Sequence, residues 1–262
     1  PMKANFDHHA INYDAYFSNS LIGKAQRERV HYFLNKQLEK KKKNLRVLEI
    51  NCGTGIDANW LAKKDHFVIA SDISSKMVEI AKKKYDQSNL IFKQLDIQTI
   101  HTETFKEKFD LLFSNFGGLN CLSKQDLKEF LNNSKSILKS QGMLALVIMP
   151  KHCIWEQLYF FLKGDFKNMK RRNTNKALLT NVDGIQIPTW YYNYQELVNL
   201  LSEQYKIVSL NPIGIAIPPS YLNPFFKNKK ILFEIIKWKE KLLKQRMWAN
   251  LSDHYLIVLQ KK

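Results

Sequence analysis

VLEINCGTG, Val47 to Gly55, is the stretch whose reading decides the fold. VLEI reads as a buried strand, and the glycines after it read as a tight loop opening onto a helix from about Ile56. A glycine loop after the first strand of an α/β sheet lets backbone approach a ligand at the carboxyl edge, where open sheets place their sites. Asn51 stands where the commonest form of such a loop has its first glycine. Asparagine enters the left-handed region more readily than most residues with a Cβ, so a positive φ is expected here rather than a broken loop.

Outward from this loop, strands and helices alternate. RVLEI, HFVIASD, NLIFKQLD, KFDLLFSN and GMLALVIMP read as five strands, with helices from about Ile56 and through MVEIAKKKY between the first three. Ser123 and Asp126 form a capping-box start, after which Leu127, Phe130, Leu131, Ile137 and Leu138 recur at helical spacing. Such alternation predicts a parallel sheet with helices on both faces. Upstream, a helix from Ser20 to about Lys42 frays into EKKKK. After Pro150 the regularity breaks: residues 151–176 are aromatic and basic, and GIQIPTWYYN reads as an isolated strand. YQELVNLLSEQ resumes as a helix, and YKIVSL and YLIVLQ read as two late strands. These bracket a proline-rich turn, IPPSYLNP, and a basic helix from about Lys229 to Trp248.

At 262 residues, 45% of them hydrophobic, the chain can bury one substantial core, and one domain is expected. Its 41 Lys and Arg exceed its 24 Asp and Glu, for a net charge of +17. That excess suits a nucleic acid, an anionic membrane or merely the lysine surplus of an AT-rich genome, and does not choose among them. Cys52, Cys121 and Cys153 are odd in number and lack CxxC spacing, so neither a metal site nor a disulfide framework is expected. No apolar run approaches the ~20 residues that span a bilayer, and PMKANFDHHAINYD lacks the pattern of a secretory signal; a cytoplasmic location is expected.

Two nucleotide chemistries use a glycine loop of this kind. Read from Gly53, GTGIDA fits G-x-G-x-x-A, with Asp72 ending the next strand as a ribose partner, which suits an NAD(P)-dependent oxidoreductase. Glu49 favours the rival: an acidic residue just before the loop repels a pyrophosphate and attracts a cationic ligand. Here E-I-N-C-G-T-G resembles the (D/E)-x-G-x-G-x-G motif of the class I S-adenosylmethionine-dependent methyltransferases, in their bacterial small-molecule form. The resemblance runs from about Phe6 to the end and is strongest from Val47 to Leu122. It implies a Rossmann-like, seven-stranded, mostly parallel sheet with an antiparallel last strand, helices on both faces and an acceptor-covering cap. The implied division is a helical cover (1–43), a cofactor-binding core (44–150), a cap insertion (151–193) and C-terminal helices with the last two strands (194–262).

The resemblance also implies site roles. Glu49 faces the methionine part of S-adenosylmethionine, Gly53 permits close approach, and Asn51 adds its amide near the same end. Asp72 takes the ribose hydroxyls, with Ile73 on the adenine. Asp96 takes the adenine amine with Ile97 beside it, and Asn115 lines the methyl-donor pocket. FDHHAINYDAYF resembles the segments that close over the cofactor, which brings in Tyr13 for the donor and Tyr16 for the acceptor. The product is S-adenosylhomocysteine, and no metal is required.

Methyl transfer from a sulfonium asks mainly for positioning and exclusion of water, so no strong catalytic motif is needed. His8, His9 and His152 are candidate bases; His152 ranks first because it follows the fifth strand, with His9 next. The loop after the fourth strand reads SNFG, where nucleic-acid amino-methyltransferases of this fold carry (N/D/S)-P-P-(Y/F/W), which disfavours a nucleic-acid acceptor. Aromatic clusters containing Trp155 and Tyr192 suit a small aromatic or lipid-like acceptor, methylated at oxygen or nitrogen. RNA or protein methylation through the basic surface stays open as an alternative. The late helix sets Ile231, Leu232, Ile235 and Ile236 among lysines, a pattern that suits either a solvated cover or peripheral contact with an anionic membrane.

Overall fold

The computed structural model describes residues 7, 13–41, 43–100, 105–182, 185–201, 203 and 205–262. After α1 (Leu21–Leu38) the chain builds β1 (Arg46–Ile50), α2 (Ile56–Ala62), β2 (Phe67–Asp72), α3 (Ser75–Lys84), β3 (Leu90–Gln94), β4 (Phe109–Ser114), α4 (Lys124–Ile137) and β5 (Leu138–Ile148). Then come α5 (Ile154–Leu162), the hairpin β6 (Leu178–Val182) and β7 (Ile185–Thr189), α6 (Tyr194–Leu200) and β8 (Tyr205–Ile213). The last elements are α7 (Asn223–Phe226), α8 (Lys230–Leu242) and β9 (His254–Lys261).

Seven strands form one sheet in the order β3-β2-β1-β4-β5-β9-β8. β1 to β5 run parallel, and β9 lies antiparallel between β5 and β8. This is the Rossmann-like architecture with a reversed last strand that the sequence implied. The strand order reverses between β1 and β4, where doubly wound sheets open a crevice at their carboxyl ends.

Alternation along the strands fills two cores. Leu48, Leu112, Leu144 and Ile257 pack beneath α4 and α6, through Phe130, Leu131 and Leu197. Val47, Val68, Leu111 and Ala145 pack against α1, α2 and α3, through Phe33, Leu34, Leu61 and Val78. Both faces are covered, so the central strands read as unbroken apolar runs rather than alternating ones. Caps fix the helix starts. Ser20 and Ser74 accept from Gly23 and Met77 N–H, and Ser123 and Asp126 close the expected capping box on α4.

Three readings of the sequence change. GIQIPTWYYN does not give an isolated strand: β7 pairs with β6, whose short LLTNV run carried no strand signal against its basic neighbours. α1 stops at Leu38, ahead of the consecutive lysines, whose mutual repulsion disfavours further turns. α8 stops at Leu242, and Arg246–Trp248 forms a separate 3-10 turn.

Candidate active site

The site grows from the loop after β1. Asn51 adopts the expected left-handed backbone, with φ 55°. Its amide turns toward β4, where Nδ2 donates to Ser114 Oγ at 3.2 Å, and it packs so closely on Gly118 that a Cβ there would come within 2.4 Å of Nδ2. Asn51 therefore braces two strand ends, where the sequence reading had its amide at the methionine end of a donor. Gly55, at φ 82°, starts α2, and a Cβ on it would meet the Phe92 ring at 2.7 Å. Gly53 N–H donates to Asp72 Oδ2 at 2.8 Å, while Asp72 Oδ1 accepts from Ser74 N–H at 3.0 Å. Loop and second strand are thus tied through one carboxylate. Burial raises that carboxyl's pKa, and the Ser74 and Gly53 amides oppose the rise.

Behind the loop lies an unusual amount of buried charge. Arg27, from α1, donates Nε to both oxygens of Asp57 on α2, at 3.0 and 3.2 Å. His31 Nε2 lies 2.6 Å from Asp57 Oδ1, stacked on Trp60, and Asn115 Nδ2 donates to Asp57 Oδ2 at 3.0 Å. Burial by itself would raise Asp57; Arg27 and His31 outweigh it and hold the carboxyl well below the usual range. At Glu49 the Arg27 charge pulls the same way but is outweighed. Glu49 is 1% exposed, burial and then the Asp57 charge push its pKa well up, and Oε2 has no hydrogen-bond partner among the described residues. Arg27 Nη1 is likewise buried without a partner. Arg27 also lines a small pocket with Tyr13, Asn51, Thr54, Asn115 and Phe116. Arg27 is thus paired with Asp57 through Nε and keeps Nη1 free, so one unpartnered donor atom and one unpartnered carboxyl oxygen lie behind the loop.

The remaining predicted residues divide. Tyr13 lines the pocket beside Gly53, and withdrawal from water pushes its phenol up to about 12. Ile73 and Ile97 are half-buried at the ends of β2 and β3, and Asp96 caps a short turn through Oδ1, which accepts from Gln98 N–H at 3.0 Å. Asn115 lines the pocket but spends its amide on Asp57 and on Phe116 N–H. His152 follows β5 as expected, half-buried, and is not among the pocket's lining residues. Trp155 Nε1 donates to the Ile215 and Ala216 carbonyls, and Tyr192 is a core residue whose hydroxyl donates to Leu122 O at 2.7 Å. These bonds give both aromatics a structural task. His8, His9 and the Tyr16 side chain lie outside the described residues.

Nothing local in the sequence marks Arg27 or Asp57, nor His254. The last starts β9, packs edge-on against Phe116 with ring centroids 5.5 Å apart, and has Asp253 Oδ2 at 3.3 Å from Nδ1. Phe116 itself holds a positive φ of 40°, a strained value for an aromatic residue. An open depression of about 720 Å³ lies at the other end of the strands, between Asn44, Lys63, Asp65 and Asn89, away from all these groups. Among the described residues no cluster of three or more His, Cys, Asp or Glu side chains could hold a metal.

Residues 47–142 match a family described as a methyltransferase domain. That span runs from β1 into β5 and takes in the glycine loop. The loop, Asp72, Asp96 and Asn115 all lie in the matched span, whereas Arg27 reaches the pocket from α1 outside it. Over 173 residues the chain is 31% identical to a malonyl-[acyl-carrier protein] O-methyltransferase of Acetivibrio thermocellus, covering 64% of this chain and 56% of that relative. The chain thus spans about half of that relative's length. Among solved structures, an S-adenosylmethionine-dependent methyltransferase from Methanosarcina mazei superposes with a TM-score of 0.58 at 16% identity, covering 86% of this chain and 96% of that one. A magnesium protoporphyrin IX methyltransferase from Synechocystis PCC 6803, solved with bound S-adenosylhomocysteine, gives 0.57 at 14% identity, covering 92% and 85%. At such identities the likeness is one of fold. Among the described residues, no helix is long and apolar enough to cross a membrane.

Proposed function

We propose that this protein transfers a methyl group from S-adenosylmethionine to an oxygen of a small, lipid-like acceptor. The observation that carries the reading is a pair of unpartnered polar atoms of opposite kind. Glu49 Oε2 and Arg27 Nη1 are buried without partners next to the glycine loop, and the amino-acid end of this donor carries one ammonium and one carboxylate to match them. Glu49 takes the ammonium and Arg27 the carboxylate, while Asp72 takes the ribose hydroxyls beyond Gly53. Ile73, Asp96 and Ile97 would frame the adenine. The fit holds at each end of the donor, whereas a pyrophosphate ligand would set its negative charge near Glu49.

Bound there, the donor supplies a methyl already activated by a sulfonium, open to in-line displacement. The chain's own work is to orient and to exclude water. Tyr13 and Phe116 close the pocket with aromatic rings. Where the acceptor oxygen carries a proton, His254 is the candidate base: it does not line the pocket, but it packs on Phe116, which does, and Asp253 lies 3.3 Å from its Nδ1. The relative from Acetivibrio, named as an O-methyltransferase, supports oxygen over nitrogen.

Calorimetric titration with S-adenosylmethionine and with NADPH tests the donor. Binding of the first and not the second is expected; tight binding of NADPH alone would overturn the reading. For the acceptor, labelled methyl is offered to cell lipids, small-molecule extract and RNA. Label in the lipid fraction is expected, and dominant labelling of RNA would sink the lipid-like class.

A further inference from the structure

α8 exposes hydrocarbon where a surface helix ordinarily exposes charge. Ile231, Ile235, Trp238 and Leu242 are 82, 48, 59 and 56% exposed. At 100° per residue, these four side chains fall within an arc of roughly 60°. Phe233 and Glu240, on the opposite side of the helix, are 2% and 1% exposed. The helix is therefore amphipathic twice over, with one apolar stripe packed inward and another turned to solvent.

Its rotation is fixed by bonds rather than by loose packing. The buried Glu240 carboxylate accepts from the N–H groups of Gly214, Ala216 and Ile217 at 2.9, 2.7 and 3.1 Å, and Arg29 donates to the Glu240 carbonyl at 3.0 Å. Phe233 packs on Phe226 and Ile22. Turning the outer stripe inward would break all of these contacts. Apolar side chains are exposed on other elements too: Phe225 on α7 is 55% exposed, and Tyr221 stacks edge-on with Tyr159 of α5, whose Leu158, Phe161 and Leu162 are exposed in turn. Large apolar side chains exposed in this number mark an interaction face.

Charge selects the occupant. Lys230, Lys237, Lys239, Lys241 and Lys244 flank the stripe, whereas the helix's two acids are Glu234, within 3.4 Å of Lys237, and the buried Glu240. A second copy of the chain meeting this face would set lysines against lysines. A nucleic acid would find the charge but have no use for the stripe. An anionic lipid bilayer uses both, with the stripe among the acyl chains and the lysine stems reaching back to the headgroups. The helix has 13 residues and a length of about 20 Å, too short to cross, so it lies in the plane of the interface.

We infer that α8, with the exposed side chains of α5 and α7, is an interfacial docking surface for an anionic membrane. The inference deepens the proposed acceptor class, since α5 leaves the carboxyl end of β5, on the same edge as the donor pocket. A lipid-like acceptor would then be collected from the bilayer rather than from water.

The full chain is mixed with vesicles of pure phosphatidylcholine and of phosphatidylcholine with a third phosphatidylglycerol, and bound protein is measured by co-sedimentation. Binding to the anionic vesicles and at least tenfold weaker binding to the neutral ones is expected. Ile235→Glu with Trp238→Glu should lower binding to the anionic vesicles tenfold or more, with an unchanged melting temperature because both side chains are exposed. No binding to anionic vesicles, or binding the double variant leaves intact, overturns the inference. So does a wild-type dimer that the double variant splits in light scattering, which assigns the stripe to a second copy. None of these readouts uses the methyl donor, so vesicle binding without S-adenosylmethionine binding would sink the proposed function and leave the docking surface standing.

Discussion

The carboxyl edge of the sheet and the outer face of α8 invert the usual rule in opposite senses. At the edge, Glu49, Arg27, Asp57 and Asp72 are withdrawn from water. On α8, Ile231, Trp238 and Leu242 are pushed into it. Both arrangements cost stability, the first through desolvation and the second through unburied hydrocarbon. A fold tolerates such costs where something outside the chain offsets them. At the edge that something is small and doubly charged; at the helix it is extended, apolar and anionic. The difference is also one of repair, because the edge already satisfies most of its charge internally while the stripe satisfies none.

The sharpest test of internal satisfaction lies between the two regions. Arg172, from the segment after α5, is buried against Asp253 at 3.1 Å and Glu156 at 3.1 Å, and Asp253 also takes Gln26 Nε2 at 3.1 Å. Asp253→Asn leaves Arg172 short of charge in a buried site and should cost about 3–5 kcal/mol in urea unfolding at neutral pH. Burial would raise Asp253, but His254 and Arg172 outweigh it and hold its pKa low. A lowered folded pKa means its stabilisation is present above the ordinary carboxylate range and is lost as pH falls through the folded value. The gap between variant and wild type should therefore close in acid.

Next in size is the Arg27 guanidinium, whose Nη1 lacks a partner. The wild type should bind S-adenosylmethionine about 10- to 100-fold more tightly than its decarboxylated analogue, the worth of a charge-assisted bond of roughly 1.5–3 kcal/mol. Arg27→Met with Asp57→Asn, which removes the ion pair together, should reduce that preference to less than about threefold. Preserved discrimination would show that the carboxylate is read elsewhere. Glu49→Gln should act in the opposite direction on the empty protein. Its raised folded pKa means that ionising it is costly, so wild-type stability is fullest below the unfolded pKa and declines as pH rises through the folded one. At pH 8 the variant should match or exceed wild type by about 1 kcal/mol while binding the donor more weakly. A fall in melting temperature would mean that Glu49 holds the fold rather than a ligand. Smallest of all, Asn51→Gly relieves a strained φ and loses the Ser114 bond, and should move stability by less than about 1 kcal/mol.

What was legible in the sequence follows the same division. Strand ends are fixed by apolar runs, so Glu49, Gly53 and Asp72 could be placed from periodicity and loop chemistry alone. Asn51 was legible in its backbone, but the bond of its amide to Ser114 was not, because only the approach of Gly118 decides where that side chain turns. Arg27 was invisible for a different reason: it is one cation among several in LIGKAQRERVHYFLNKQL, and nothing local marks the one that Asp57 draws inward. Trp155 and Tyr192 stood out as aromatics, yet their polar atoms are taken by carbonyls distant in sequence. α8 shows the limit most clearly. Its periodicity holds two apolar stripes, and the choice of which faces inward comes from three backbone amides in the 214–217 loop.

The place of β9 has a consequence for how the chain is made. The strand sits inside the sheet, between β5 and β8, so neither can gain its partner until residue 261 has been synthesised. From the end of β5 the ribosome needs on the order of ten seconds at about 5–20 residues per second. Through that interval β5 offers an open, strongly apolar edge to any other nascent strand. Production of this protein should accordingly be limited less by the stability of the finished sheet than by what shields LALVI, 144–148, until its neighbour arrives.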